Sequence, residues 1–440
     1  MKTTVLGLLA AGLLAGASTV ASHAAGETPI VFVHGDSDTA GLWIGPTWRF
    51  ESNGYPADRL FAVDIDHPTA RGDDRVAAEN RSSTADAAKA VAAEVDKVLA
   101  ATGAGKVILI GNSRGCQTSR NYVKNFGGEA KVERMILTGC VHNGVFVAPG
   151  AAEGSEYNGA GIFLKALNAP PLLPAGVPVT IIRSDKFDLY SQPDARFIGR
   201  PGNPTGATYA SPELKGADNR VLPGVDHRET AYSPAAFAIM YEAVTGIDPK
   251  TLDIVAQDKV MLSGEISGFA NGSPTNLPLA GAKLSIFATD PATGARKGDA
   301  VYTKTVGADG MWGEFAASPD QTYEFVIEAD GYPVTRIFRS AFPRSYHYLN
   351  LRLYPALAKG STVNIMRPRG YIGPEDKATV NGKQMPGIPA DVPVPHIWKV
   401  SVPVSDSTAE SVSVSFNGET IAARTDPAMK DAVTWIEFTY

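Results

Sequence analysis

A serine flanked by glycines, between an apolar run and a helical segment, is the feature that most constrains how this chain folds. The segment Gly111-Asn112-Ser113-Arg114-Gly115 fits the pattern G-x-S-x-G. The apolar run 106–110 predicts a buried strand before it, and residues 117–126 predict a helix after it. A strand that turns this sharply into a helix strains the serine backbone and leaves room only for small neighbours. The pattern makes Ser113 a candidate nucleophile, the alternative being an ordinary glycine-rich turn.

Short apolar runs alternate with helical patterns from residue 28 to residue 247. This alternation predicts an α/β fold with a mostly parallel sheet covered by helices on both faces, and we place this domain at residues 25–250. The predicted strands are 29–33, 59–63, 106–110, 132–137 and 177–182, and the predicted helices are 84–101, 117–126 and 234–244.

The pattern changes after Asp258 to strand-like runs separated by Asn-Gly and Asp-Gly turns. Residues 258–354 resemble a transthyretin-like, carboxypeptidase regulatory-like sandwich. The segments that carry this resemblance are Leu279–Ala282, Ala308–Gly310 and Tyr323 with Gly331-Tyr332. A second β-rich domain is predicted over 355–440.

A serine nucleophile requires a base, and a histidine late in the α/β domain suits that role. His227 lies in a loop just before the last predicted helix, whereas His142 follows Ser113 too closely for the order serine, acid, histidine. The acid should follow the strand 177–182, where Asp185 and Asp188 are both candidates and Asp194 is a more distant third.

The chain resembles the α/β-hydrolase superfamily in the order of four features. These are the apolar run ending in His34-Gly35, the strand-to-helix turn 111–115 (the elbow), the acid and His227. Within it, the chain is most similar to secreted bacterial lipases and esterases, some of which carry a C-terminal β domain that binds lipid. Enzymes of this class place the acid a few residues past the strand and shortly before a proline, which favours Asp188 over Asp185.

The resemblance also implies an oxyanion site made of backbone N–H groups. One donor is the residue after the nucleophile, Arg114, and the other follows the His-Gly pair. We predict the Asp36 N–H, with Ser37 as the alternative. A carboxylate beside an oxyanion is unfavourable, so the Asp36 side chain should point away or pair with a cation such as Arg114. His34 is predicted to be structural.

The two cysteines fall close to the predicted elbow. Cys116 lies in the first turn after Ser113, and Cys140 closes the next strand. These strands are neighbours in the α/β-hydrolase fold, so the sulfurs could form a disulfide. The alternative is two separate buried thiols.

Two further segments bear on the substrate. Residues 143–176 are predicted to form a cap or lid, the alternative being an ordinary packed helix and loop. Tyrosines and arginines cluster between residues 344 and 371, a composition that suits an interface or half-buried strand faces.

The amino terminus and the composition bound the compartment and the partners. Residues 1–24 combine a lysine, an apolar run and a small-residue cleavage site, which predicts a signal peptide and a secreted or periplasmic protein. Forty Lys and Arg against 46 Asp and Glu give a net charge of −6, which argues against a nucleic-acid partner. No later run suits a membrane anchor, and no spacing indicates a metal site or another cofactor.

The sequence therefore predicts a secreted serine ester hydrolase that forms an acyl-enzyme with Ser113, Asp188 and His227. The expected substrates are acylglycerols or other fatty esters, met at a lipid–water interface. A polyester of the polyhydroxyalkanoate type and an aromatic ester are the alternatives within this chemistry. The alternative from another class is a surface-binding protein with an inert hydrolase-like domain.

Overall fold

The computed structural model describes residues 27–355 and 361–439, so the predicted signal peptide 1–24 lies outside the described residues. In this part of the chain the first sheet has six parallel strands, in the order β2-β1-β3-β4-β5-β6. The strands are β1 (Ile30–Val33), β2 (Leu60–Val63), β3 (Val107–Asn112), β4 (Val132–Thr138), β5 (Val179–Ser184) and β6 (Asp218–Leu222). This parallel sheet confirms the predicted α/β fold.

Helices pack on both faces of the parallel sheet. They are α1 (Ile44–Ser52), α2 (Thr84–Thr102), α3 (Arg114–Asn125), α4 (Ile162–Leu167), α5 (Glu229–Tyr232) and α6 (Pro234–Thr245). Successive strand residues point to opposite faces, so Val31 and Leu109 pack with α2 and α3, whereas Phe32 and Ile110 pack with α1 and α6. Burial on both faces explains why these strands have no polar alternation.

The helix ends follow capping rules that can be seen in the sequence. Ser83 and Asp86 form a capping box at the start of α2, and Gly103 ends that helix with φ 67°. Strand β6 was not predicted, because it is an exposed edge strand with mostly polar residues and therefore lacks the apolar signal of its neighbours.

The C-terminal region is built of β-strands, as predicted. They are β7 (Val260–Ser267), β8 (Phe269–Ala270), β9 (Ser273–Pro274), β10 (Lys283–Thr289), β11 (Tyr302–Thr305), β12 (Met311–Ala317), β13 (Thr322–Glu328), β14 (Thr335–Arg339), β15 (Leu351–Arg352), β16 (Thr362–Met366), β17 (Ala378–Val380), β18 (Lys383–Gln384), β19 (Lys399–Pro403), β20 (Ser411–Phe416), β21 (Glu419–Arg424) and β22 (Val433–Glu437).

The largest β-sheet of this region runs across the boundary predicted at 354/355. Among the described residues it has seven strands, in the order β11-β10-β13-β14-β22-β16-β19. Strand β14 pairs in parallel with β22, which in turn pairs with β16. The division into two β domains stays a prediction, but hydrogen bonds join the strands on either side of it.

The β region also shares a hydrophobic core with the α/β domain. Ile44 and Trp48 of α1 are fully buried in one cluster with Leu262 and Trp312 of the β region. The Trp48 indole Nε1 donates to the Ser345 carbonyl at 2.8 Å. This contact fixes the β region against the side of the parallel sheet.

Candidate active site

Ser113 lies at the turn between β3 and α3, at the carboxyl edge of the parallel sheet. Its backbone has φ 54° and ψ −121°, a conformation that costs a non-glycine residue about 1–3 kcal/mol. A Cβ on Gly115 would lie 2.3 Å from the Val33 carbonyl oxygen, and one on Gly111 would lie 2.7 Å from the Gly115 oxygen. Both glycines are therefore required by close backbone contacts, for the reason inferred from the motif.

His227 and Asp188 form a buried pair. The His227 Nδ1 lies 2.9 and 3.0 Å from the two carboxylate oxygens of Asp188, and both residues are 2% exposed. An ionised carboxylate only accepts hydrogen bonds, so Nδ1 carries the proton and Nε2 is left as a base. The ring of Tyr190 packs edge-on against the imidazole, with 4.6 Å between the centroids. The pair thus has the arrangement of an oriented general base.

The structure brings the other candidate acids to different places. Asp185 accepts hydrogen bonds from the Lys186 N–H at 2.6 Å and from the Ser184 hydroxyl at 3.3 Å. Asp194 caps a short helical turn by accepting from the Arg196 N–H at 2.8 Å. Each of these carboxylates is engaged locally, and only Asp188 of the three is hydrogen-bonded to His227 among the described residues.

Two further histidines are buried in structural positions. His34 donates from Nδ1 to the Gly35 carbonyl and accepts at Nε2 from the Ile65 N–H at 3.1 Å. His142 is packed beside the Arg120 guanidinium, and burial followed by this positive charge lowers its pKa well below the usual range. Both imidazoles are therefore neutral near pH 7.

The candidate oxyanion donors lie beside the elbow, where Gly35 approaches Ser113 so closely that a Cβ on it would lie 3.1 Å from the serine Cβ. The Ser37 N–H donates to the Pro68 carbonyl at 3.1 Å and is engaged. Among the hydrogen bonds of the described residues, none uses the Asp36 or Arg114 N–H. The Arg114 N–H belongs to the first turn of α3, whose N–H groups have no partner within the helix.

The side chains of Asp36 and Arg114 do not form the ion pair that was suggested between them. The Asp36 carboxylate points to the Ala70 N–H, 2.7 Å away. Arg114 pairs with Glu156 instead, at 2.7 Å from Nε and 3.0 Å from Nη2. The suggested Asp36–Arg114 pair is therefore wrong, because Glu156 from the 143–176 segment takes the guanidinium. No spacing in the sequence indicates this partner, which lies 42 residues away along the chain.

The predicted disulfide is present. Cys116 and Cys140 are bonded, with 5.7 Å between their Cα atoms, and both are fully buried. The bond joins the first turn of α3 to the end of β4, and it therefore braces the elbow. Among the described residues, the one group of side chains close enough to ligate an ion together is Cys116, Cys140 and His142, and the disulfide consumes both thiols.

A cavity of about 1710 Å³ opens over Ser113 and His227. The α/β domain supplies one wall, and the β region supplies much of the opposite wall. Within the 143–176 segment, Phe146, Val147 and Tyr157 line the cavity, and the role of this segment as a cap stays a prediction. The movement of the segment stays a prediction.

Contacts from the β region hold the loop that carries His227. The Tyr371 N–H donates to the Asp226 carboxylate at 2.6 Å, and Arg367 donates to Glu229 at 2.6 Å. Burial, followed by the negative charge of Glu229, raises the pKa of Asp226 to about 7. Sequence reasoning missed these partners, since the clustered tyrosines and arginines between 344 and 371 suited either an interface or half-buried strand faces. The partner of that interface is the chain's own α/β domain.

Comparison with known protein families agrees with this architecture. Residues 27–161 match the family model of class 2 lipases, and residues 258–355 match that of the lipase C-terminal domain. No helix among the described residues is long and apolar enough to cross a membrane.

Several solved structures are similar in part. The propeptide form of Bacillus licheniformis lipase BlEst2 is 16% identical with a TM-score of 0.39, over 91% of this chain and 93% of that one. Its mature form is 19% identical with a TM-score of 0.37, over 50% and 92%. Aspergillus fumigatus lipase B is 18% identical with a TM-score of 0.37, and the match spans 51% of this chain and about half, 54%, of that one.

These structural scores are low, so the assignment rests on the two family matches, which together support a hydrolase that acts on esters. The chain thus combines a region that matches the class 2 lipases with a later region that matches the lipase C-terminal domain.

Proposed function

We propose that the protein is a serine ester hydrolase in which Ser113, His227 and Asp188 act together through an acyl-enzyme. The observation that carries this proposal is the buried His227–Asp188 pair opening into the same cavity as the strained Ser113. A nucleophile, a base with one free nitrogen and an acid that orients the base are the parts that acyl transfer requires.

The reaction follows from this geometry. Ser113 Oγ attacks the ester carbonyl carbon while His227 Nε2 takes the hydroxyl proton. The carbonyl oxygen becomes an oxyanion, which the N–H groups of Asp36 and Arg114 stabilise. When the C–O bond breaks, the alcohol leaves with the proton from His227. Water then attacks the acyl-Ser113 and gives a proton to His227. The bond between the acyl carbon and Ser113 Oγ breaks as His227 returns this proton to Oγ, and the carboxylic acid is released.

We further propose that the substrates are acylglycerols or other fatty esters. The cavity is large and has apolar wall residues such as Leu42, Phe146 and Leu189. Three of its lining residues are apolar yet well exposed, namely Val147, Ile198 and Trp398, at 38%, 39% and 48%. An exposed apolar rim suits a substrate that is not dissolved in water, whether a lipid surface or a solid polyester.

We also propose that the protein acts in the periplasm or outside the cell. The buried Cys116–Cys140 bond supports this proposal, because disulfides persist in oxidising compartments. The predicted signal peptide 1–24 would direct the export of the protein from the cytoplasm.

The test is hydrolysis of p-nitrophenyl esters from two to sixteen carbons. Wild type should act in a Ser113-dependent manner, with activity rising toward long chains, and Ser113→Ala should be inactive on all of them. Asp188→Asn should lower kcat by about 10⁴-fold, as loss of the orienting acid does in such triads. Asp185→Asn is the matched control and should stay near wild type.

The outcomes separate the alternatives. Activity confined to short chains, together with release of monomer from a polyhydroxyalkanoate film, would move the substrate to polyesters. If no ester is cleaved and a fluorophosphonate probe does not label Ser113, the enzyme proposal is wrong and an inert surface-binding protein takes its place.

A further inference from the structure

The cavity wall carries an excess of positive charge in a protein that is acidic as a whole. The full chain has a net charge of −6. Among the described residues that line the cavity, however, there are six arginines and three carboxylates. The arginines are Arg196, Arg200, Arg228, Arg339, Arg352 and Arg369, and the carboxylates are Asp36, Asp38 and Glu437. Hydrolysis of a neutral fatty ester does not require this excess.

Two of these arginines hold buried N–H groups that have no hydrogen-bond acceptor. Arg339 is 1% exposed, and neither its Nε nor its Nη2 has a hydrogen-bond partner in the structure. The Nε of Arg352 is also buried without a partner. A buried donor left unsatisfied costs about 1–3 kcal/mol, and more when it is charged. Such donors on a cavity wall indicate a ligand rich in acceptor oxygens.

Arg339 has a cationic neighbour, and the two share one carboxylate on the cavity wall. Oε1 of Glu437 lies 3.4 Å from Nη2 of Arg339 and 3.6 Å from Nη2 of Arg369. Burial, followed by the charge of Arg339, lowers the pKa of Arg369 to about 10, so Arg369 is still charged near neutral pH. Two cations therefore face one acid.

The other groups around this pair are already engaged. Arg369 donates from Nε to the Thr439 carbonyl and from Nη2 to the Phe438 carbonyl, each at 2.6 Å. The nearby Glu419 accepts from the Thr439 N–H at 2.9 Å and from the Ser340 hydroxyl at 2.6 Å, and it does not line the cavity. The guanidinium of Arg339 lies 5.0 Å from the Phe342 ring centroid. Arg339 is thus held in place, while among the described residues its Nε and Nη2 groups make no hydrogen bond and Glu437 alone offers Nη2 an ion pair.

We propose that Arg339, assisted by Arg369, binds an anionic group of the substrate, a carboxylate or a phosphate, away from the ester that is cleaved. The planar fork of a guanidinium matches the oxygens of both groups. The subsite lies on the cavity wall that the β region supplies. Ser113 and His227 line the same cavity from the α/β domain. This inference rests on the proposed function and narrows its substrates to esters that carry a negative charge.

The experiment compares anionic and neutral esters of equal length. One arm uses p-nitrophenyl esters of six to twelve carbons whose acyl chain ends in a carboxylate or in a methyl group. The second arm uses dihexanoyl phosphatidic acid against dihexanoylglycerol, which separates a phosphate from a carboxylate preference. The readout is the ratio of kcat/KM for the anionic ester to that for its neutral partner.

Wild type should prefer the anionic member of at least one arm, and Arg339→Gln should lower that ratio about tenfold or more, because hydrogen bonds to charged groups are lost. Arg339→Lys should recover little, since an ammonium lacks the fork. Glu437→Gln should raise the ratio by removing the competing carboxylate. Arg220→Gln, a surface change of equal charge outside the cavity, is the control and should leave the ratio unchanged.

A binding measurement separates failure of this inference from failure of the proposed function. Inorganic phosphate should raise the melting temperature of wild type above that in chloride of equal ionic strength, and Arg339→Lys and Arg339→Gln should lose this shift. Equal ratios in all variants, with no phosphate shift, overturn the subsite even if neutral esters are cleaved. If Arg339→Gln does not fold, the Arg339→Lys and Glu437→Gln ratios decide the matter.

Discussion

The ion pair behind the elbow gives the sharpest prediction about how this protein is held together. Arg114 and Glu156 are each 2% exposed, and the guanidinium makes five hydrogen bonds. Two reach Glu156, and the other three reach Pro68 and Ser82. All five N–H donors of the arginine are therefore used.

Arg114→Met should lower the free energy of unfolding by about 3–5 kcal/mol near pH 8, because it leaves the Glu156 carboxylate buried without a cation. The measurement is urea unfolding followed by tryptophan fluorescence. The double variant Arg114→Met/Glu156→Leu should recover most of the loss, since removing both partners of a buried pair is often close to neutral.

The loss should also depend on pH. Burial already raises the pKa of Glu156, and removing the arginine raises it further. A raised folded-state pKa favours the native state at low pH, so the destabilisation caused by Arg114→Met should shrink between pH 8 and pH 5. A loss under 1 kcal/mol, a loss that does not change with pH, or a double variant no better than the single one would refute the reasoning.

Replacing Cys116 and Cys140 with alanine should lower the free energy of unfolding by about 3 kcal/mol, because a bond between residues 24 apart restricts the unfolded chain; equal urea midpoints would contradict this. Burial, followed by nearby acids, raises the pKa of Glu265 to about 8, so wild type should lose stability relative to Glu265→Gln as the pH rises from about 5 to about 8; parallel pH profiles would count against it. Arg367→Met should lower kcat on short esters, because the loop of His227 loses its ion pairs with the β region; an unchanged kcat in a folded variant would show that these contacts do not position the base.

Local patterns predicted the α/β domain because its elements obey rules that act over a few residues. Strand β3 is apolar from Val107 to Gly111 because both of its faces are covered. Helix α2 is bounded by Ser83 and Gly103, because each cap satisfies backbone groups that have no partner within the helix. Ser113 could be singled out for the same reason: the sharp turn needs glycines at fixed positions. Strand β6 was not predicted, because an exposed edge strand needs no apolar pattern.

The candidate site was harder to predict wherever it depends on partners far apart along the chain. The resemblance favoured Asp188 and kept Asp185 as the alternative, and the course of the loop after β5 brings Asp188 to His227. The sequence suggested Asp36 as a partner of Arg114, whereas packing of the 143–176 segment places Glu156 against the Arg114 guanidinium. No periodicity in the sequence predicts such contacts. The free energies of desolvating and pairing the charges arise only when folding buries them away from water.

The sequence by itself thus determined the fold class and the elbow, since both follow from backbone sterics and local burial, whereas the order of the candidate catalytic residues came from the resemblance to the α/β-hydrolases. The tertiary structure decided which acid meets the histidine, and it joined the β region to the α/β domain through a shared core. It also placed Arg339 and Arg352 on the cavity wall with unused donors. These features depend on long-range packing, where residues hundreds of positions apart determine whether a charge is paired.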